Sequence, residues 1–274
     1  MNELLRIDFR RVLKDKLLIV VGILAVVFAL ITPVLYAILF SGEEMLNDPM
    51  FAGMVSAKSM FFQSFSMGNN LGLIAPILLA IVLCKDFSFG TIRNKIIAGK
   101  SRSSIYLSLF TVCSVVLIAV VLISAFITLG VSLIFFDYQG ADFTSADLGY
   151  FMASLGLDIL VLLFMAAMLS WLCSVARNVG TVIVLYVAIS FGLILIGSVT
   201  QVVVSLADFI DLNENILKIV EFIDRINISN FVSRIGAGTE YTLKDILYFT
   251  IPSVTGIVFF TGLGLLKFNK RDLK

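Results

Sequence analysis

The 274-residue chain contains no histidine. That absence removes imidazole catalysis, histidine-ligated metals and a histidine pH switch. Cysteine is scarce: Cys84, Cys113 and Cys173 lie in or beside apolar runs, in neither a CxxC nor a metal-ligand spacing, and read as small buried hydrophobes. No metal or cofactor is expected. Charge is also low, at 14% of residues, and nearly balanced, with 20 basic and 19 acidic residues. Nucleic-acid binding, disorder and a disulfide-stapled module are therefore disfavoured. What abounds is apolar surface: 59% of residues are hydrophobic and the mean hydropathy is +1.06. A soluble domain carries roughly 45–50% apolar residues and cannot hide this much. The solvent that accommodates the chain is a lipid bilayer. A cleavable signal peptide is not expected, because residues 1–16 are charged and the next apolar run continues to Phe40 without a small-residue cleavage site.

A membrane span needs about 20 mainly apolar residues. Six segments qualify, at about 17–40, 67–84, 105–136, 148–171, 180–205 and 246–266. Segment 105–136 exceeds one bilayer and is expected to tilt or project beyond it. Period-2 alternation in ten-residue blocks is missing, which argues against a β-barrel. The expected fold class is an all-α polytopic membrane protein, one transmembrane domain over 1–274.

Basic residues concentrate in alternate connections. The N-terminal stretch, the loop after the second span, Arg177 and the C-terminal tail hold 15 of the 20 basic residues against five acids, a net +10. The opposite side holds Lys58, Lys218, Arg225, Arg234 and Lys244 with 13 acids, a net −8. By the positive-inside rule both termini are cytoplasmic and the chain sits in the cell membrane.

Three segments outside the spans carry pattern. In residues 1–16, Leu4, Leu5, Phe9, Val12 and Leu13 recur at helical spacing beside Arg6, Arg10, Arg11 and Lys14. An interfacial helix with its basic face on lipid headgroups fits, and a plain charged flank of the first span is the alternative. In residues 86–100, Ile92, Ile96 and Ile97 share a face with Arg93, Asn94, Lys95 and Lys100 around them. Gly99 is placed to stop that helix and Ser101–Ser104 to cap the next. Such a helix suits a groove on a partner, or an interfacial loop that merely satisfies the charge rule. Gly99-Lys100-Ser101 is not a phosphate loop, since Asn94 stands where the first glycine is required and no strand precedes it. In residues 206–245, Phe209, Leu212, Ile216, Ile219, Val220, Ile223 and Ile226 follow a 3–4 spacing, predicting an external amphipathic helix. Between the first two spans, Glu43 and Glu44 precede Phe51, Phe61, Phe62 and Phe65. Asn227-Ile228-Ser229 matches a short glycosylation pattern.

Within the spans, Asp158 is the one deeply placed ionisable residue. Burying a carboxylate there costs roughly 2.5 kcal/mol or more, so it should face protein or water. Two readings stand: a position on a translocation path or moving helix contact, or a structural aspartate partnered by a nearby Ser or Thr. Pro33 and Pro76 can kink their helices, and glycines such as Gly256 and Gly264 permit close helix approach.

Asp86, Gly90-Thr91-Ile92-Arg93 and Ile97-Ala98-Gly99, followed by Ser101-Arg102 and Ile105-Tyr106, together with the tail Phe268–Leu273, carry a family resemblance. On these residues, and on the six-span topology with internal termini, the chain resembles the permease subunits of type-2 ABC exporters. The likeness is greatest to the short bacterial permeases of peptide, lantibiotic-immunity and drug efflux systems. The resemblance implies a coupling helix at 86–100 seated on an ATPase. Phe87, Phe89, Ile92, Ile96 and Ile97 would anchor in the ATPase groove. Arg93, Lys95 and Arg102 would meet its acidic rim, with Asp86, Gly90 and Thr91 forming the entry to the helix. Asp86 stands where glutamate is commoner, which shortens its reach. The resemblance further implies two copies of a separate ATP-binding subunit and a second permease, as homodimer or pseudo-dimer. The chain itself would then be no enzyme, and the cargo a hydrophobic or amphipathic peptide, antibiotic or lipid-like molecule. A non-transporting membrane immunity or scaffold protein is the alternative.

Overall fold

A computed structural model describes residues 2–40, 56–88, 91–136, 138, 145–176, 178–207, 213–236 and 242–270. Among them lie 11 helices and no strand. They are α1 (Asn2–Leu13), α2 (Lys16–Leu39), α3 (Ala57–Gln63), α4 (Asn70–Ser88), α5 (Thr91–Ile97) and α6 (Arg102–Phe135). After these come α7 (Ser145–Val175), α8 (Val179–Ser205), α9 (Glu214–Ile226), α10 (Ile228–Gly236) and α11 (Leu243–Lys270). Helices are the form a bilayer demands, because they satisfy every backbone group within one segment.

Five helices, α2, α6, α7, α8 and α11, are long and apolar enough to cross a membrane. The count reaches six when α4 and α5, bent by 49° across a short break, are taken together as one crossing. The chain is a multi-pass membrane protein. The 34 residues of α6 span about 51 Å at 1.5 Å per residue, so it overshoots the hydrocarbon. Asp15, Ser101 and Asn178 cap α2, α6 and α8 with side chains that accept from the first-turn amides of Leu17, Ser104 and Thr181.

Helix α7 lies at the centre, packed most extensively on α11 and also on α6, α4 and α8. Small and slender residues line its buried face, including Ala166, Ala167, Met168 and Ser170. In lipid the apolar driving force between helices is absent, so this close packing is what holds them. Cys84 of α4 and Cys173 of α7 meet there with sulfurs 3.5 Å apart, and Cys113 is buried as well. By contrast α2, α8 and α11 turn long rows of Ile, Leu and Val outward, as lipid-facing helices do.

The 206–245 segment departs from expectation. Its described residues hold two helices rather than one, α9 and α10, broken at Asn227. Asn227 donates to the Leu193 carbonyl (2.9 Å) and accepts from the Ser229 amide (2.9 Å), which ends α9 and caps the start of α10. That side chain is therefore occupied and buried, not offered for glycosylation. Asp224 pairs with Arg234 and accepts from Asn230 (2.6 Å) and Thr200 (3.3 Å), tying both helices to the end of α8. Phe231 of α10 stacks on Phe249 of α11 with ring centroids 3.8 Å apart. Phe61, Phe62 and Phe65 of the α3 region are buried, whereas Glu43, Glu44 and Phe51 lie outside the described residues.

Candidate functional site

The base of the bundle gathers four chain segments that are distant in sequence. Helix α1 packs along the start of α6, burying Leu4 and Val12 and half-burying Leu5 and Phe9. Its apolar stripe thus meets protein, while Ile7 and Leu13 remain exposed. Asp8, on the inward side, is fully buried and accepts from Ser108 Oγ (2.7 Å) and Lys95 Nζ (2.6 Å). Arg11, one turn on, pairs with Asp86 of α4, whose second oxygen lies 3.7 Å from Lys95 Nζ.

Two acids and two bases therefore form a compact cluster with no net charge. This matters because a buried charge is tolerable only when paired. Asp86 sits in the last turn of α4, where the helix dipole opposes a carboxylate, and Arg11 and Lys95 offset that penalty. Burial pulls the Lys95 ammonium below the usual lysine range against the opposing attraction of Asp8, and it likewise lowers Arg11.

Outer ties flank this cluster. Lys85 grips Asp15 (2.7 and 3.0 Å), and Lys100 reaches Glu3 (3.3 Å). Burial pushes the Asp15 carboxyl up, but the Lys85 hydrogen bond, the Leu17 amide and nearby positive charge outweigh it and leave the group below its ordinary range. Arg102 donates to the Asn269 carbonyl (2.7 Å), so the end of α11 belongs to the same assembly. Phe268 is buried near the Tyr106 ring, and residues 271–274 of the tail lie outside the described residues.

The expected 86–100 helix is shorter in the structure. Asp86 belongs to α4, and α5 covers only Thr91–Ile97, ending at Gly99 with φ +78°, a left-handed turn that suits glycine. Ile92 is 1% exposed and sits in the chain's own core, with Ile96 half-buried against it. Thr91 is half-buried, and Lys95, Asp86 and Arg102 are engaged within the chain. Arg93, Asn94 and Ile97 turn outward, Ile97 being 74% exposed. Phe89 and Gly90 lie outside the described residues, as does the side chain of Phe87.

Sequence reasoning named α5 but not the residues that hold it. Asp8, Arg11 and Ser108 carry no motif, and their partners lie 75 to 100 positions away in the chain. Asp224, Asn230 and Arg234 at the opposite end lie within 10 positions of one another but carry no motif, and their convergence depends on the break at Asn227. Asp158 is fully buried within α7, facing protein as expected. Its carboxylate has no hydrogen-bond partner among the described residues, so the serine or threonine partner of the structural reading is not found among them. No group of three or more metal-ligating side chains occurs among the described residues.

Searches against protein-family models and against curated proteins find no match to this chain.

Proposed function

We propose that this multi-pass membrane protein is the permease subunit of an ATP-driven exporter, moving a hydrophobic or amphipathic cargo outward on power from two separate ATP-binding subunits. The observation that carries the reading is α5. It is a seven-residue helix locked to the bundle on one side and open on the other. Ile92 fixes it in the core, and Lys95 fixes it to Asp8 of α1. Arg93, Asn94 and Ile97 form the open face.

A lever needs that combination. A push on Ile97 and Arg93 passes through Ile92 to the core and through Lys95 to α1 and the start of α6, where Asp8 meets Ser108. It cannot dissipate in a loose loop, because each link is a packed or charge-assisted contact. Helix α6 would carry the displacement across the whole bilayer. In this reading the base of the bundle is cytoplasmic, in keeping with its positive charge, and a second permease completes the path. ATP chemistry belongs to the partner.

The test is co-purification from native membranes. An associated protein with a Walker A loop and vanadate-sensitive ATP hydrolysis is expected. Ile97→Glu with Arg93→Glu should release that partner while leaving the permease folded, since both side chains point outward. Undiminished association of the double variant would overturn the α5 assignment. Full biological activity in cells lacking any such ATPase would favour the scaffold reading instead.

A further inference from the structure

At the end of the bundle opposite the charged base, a cavity of about 160 Å³ opens between α2, α3 and α6. An i, i+4 pair from α2, Thr32 and Tyr36, and an i, i+4 pair from α6, Ser124 and Thr128, line it together with polar Gln63, Ser64 and Asn69 and an apolar wall that includes Phe28 and Leu71. Among the described residues, no lysine, arginine, aspartate or glutamate lines it. Thr128 lies seven residues before Phe135, the last residue of α6, hence about 10 Å from that helix end.

Hydroxyls without a hydrogen-bond partner among the described residues also occur elsewhere in the spans, at Ser170, Ser190 and Thr261, but here several converge on one open cavity. Helical Ser and Thr ordinarily bond back to a carbonyl in the preceding turn, as Thr111, Ser114 and Ser253 do here. Thr128 is 4% exposed, yet its hydroxyl makes no hydrogen bond among the described residues, and neither do those of Thr32 and Tyr36. Ser124 is already committed to the Ala25 carbonyl (3.2 Å), which pins α6 to α2 beside the cavity. Uncommitted donors inside a bilayer are costly unless something enters to meet them.

The chemistry of the entrant follows. An ionised group would lose its hydration with no counter-charge on the wall, and a bare hydrocarbon would leave three hydroxyls unmet. A cavity of about 150 Å³ admits a molecule of benzene size, so the head group is ring-sized. Access is from the lipid side: half-buried Thr32 and Tyr36 adjoin Ile31, Leu35 and Leu39, which are exposed on the same helix. We propose that this cavity binds an uncharged amphiphile, its hydroxyl or amide head on Thr32, Tyr36 and Thr128 and its tail left in the bilayer. The site requires neither nucleotide nor an ATPase, so it stands apart from the exporter reading.

The test uses the full chain in phosphatidylcholine nanodiscs without nucleotide. A monoacylglycerol carrying a diazirine near its head is compared with a fatty acid carrying the same group on the same chain. Monoacylglycerol labelling is expected on the peptides holding Tyr36 and Thr128, at least tenfold above the anionic probe. Thr32→Val with Thr128→Val should lower it about tenfold, the effect of losing two neutral hydrogen bonds. Equal labelling by both probes, or label spread evenly over the exposed faces of α2 and α8, would overturn the proposal, as would undiminished labelling of a folded double variant. The comparison of probes on the unaltered chain decides the matter even where that variant does not fold.

Discussion

Lys95→Met tests whether α1 is held by charge. The substitution keeps most of the aliphatic stem and removes the ammonium, leaving Asp8 and Asp86 to share Arg11. The buried cluster then carries a net negative charge. Breaking a buried pair by removing one partner costs about 3–5 kcal/mol. The Lys95 side chain is 10% exposed and Arg11 a third exposed, so the lower end applies, about 3 kcal/mol. Adding Asp8→Asn restores neutrality. Arg11 still pairs with Asp86, and Ser108 keeps a neutral partner worth about 1 kcal/mol. The double variant should therefore cost only about 1–2 kcal/mol, less than Lys95→Met alone, because it no longer strands a buried carboxylate. Hydrogen exchange of the α1 amides in detergent reports this local opening directly. Lys95→Met should speed it about a hundredfold, and Asp8→Asn should reverse most of that gain. Unchanged exchange in the single variant, or a double variant looser than either single one, would refute a charge-held α1.

Three further outcomes follow from the structure. Because its folded carboxyl titrates below its ordinary value, Asp15 contributes stability that is complete above about pH 5 and lost as the pH falls through that lowered value; Asp15→Asn, which keeps a good helix cap, should remove this acid-side slope from the unfolding midpoint measured between pH 7 and 3. A methyl added at Gly264 would run into the ring and hydroxyl of Tyr106, so Gly264→Ala should destabilise by about 1–3 kcal/mol in denaturant unfolding, with partial rescue by Tyr106→Phe. Asp158→Leu removes a buried carboxylate that has no hydrogen-bond partner among the described residues and should raise the unfolding midpoint; under the proposed exporter function, loss of export in that stabilised variant would mark Asp158 as functional, and unaltered export would mark it as structural.

The long helices were legible because a bilayer imposes one simple demand, about 20 apolar residues in a row, and the sequence meets it openly at α2, α6, α7, α8 and α11. Caps were legible too: Gly99 stops α5 and Ser101 starts α6 as their chemistry requires. What periodicity cannot reveal is who sits opposite an apolar face. The isoleucines of α5 read as a surface for a partner, but Ile92 is packed into the chain's own core and only Ile97 is fully outward. The same holds for α1, whose stripe looked made for lipid and is largely taken by α6. In the 206–245 segment the 3–4 apolar spacing was legible as far as Ile226, where α9 ends, so the second helix was not read as a separate one. The signal for the break was Asn227, a residue that can bond its own backbone two positions on. The polar cavity was invisible for another reason: Thr32, Gln63 and Thr128 are unremarkable singly and acquire meaning only by convergence.

The ion pairs at the base also impose an order on biosynthesis. Asp8 leaves the ribosome 87 residues before Lys95 and 100 before Ser108. At roughly 5–20 residues per second, α1 waits about 4–15 s for its first permanent partner, Asp86, which follows Arg11 by 75 residues. During that interval its buried charges and apolar stripe need a provisional home, and the headgroup layer offers one to both. The amphipathic pattern and the final burial are then two stages in the history of one helix. On this order lipid would hold α1 first, and α4, α5 and α6 would later take it over. A membrane poor in anionic lipid should slow this handover more than it weakens the finished protein.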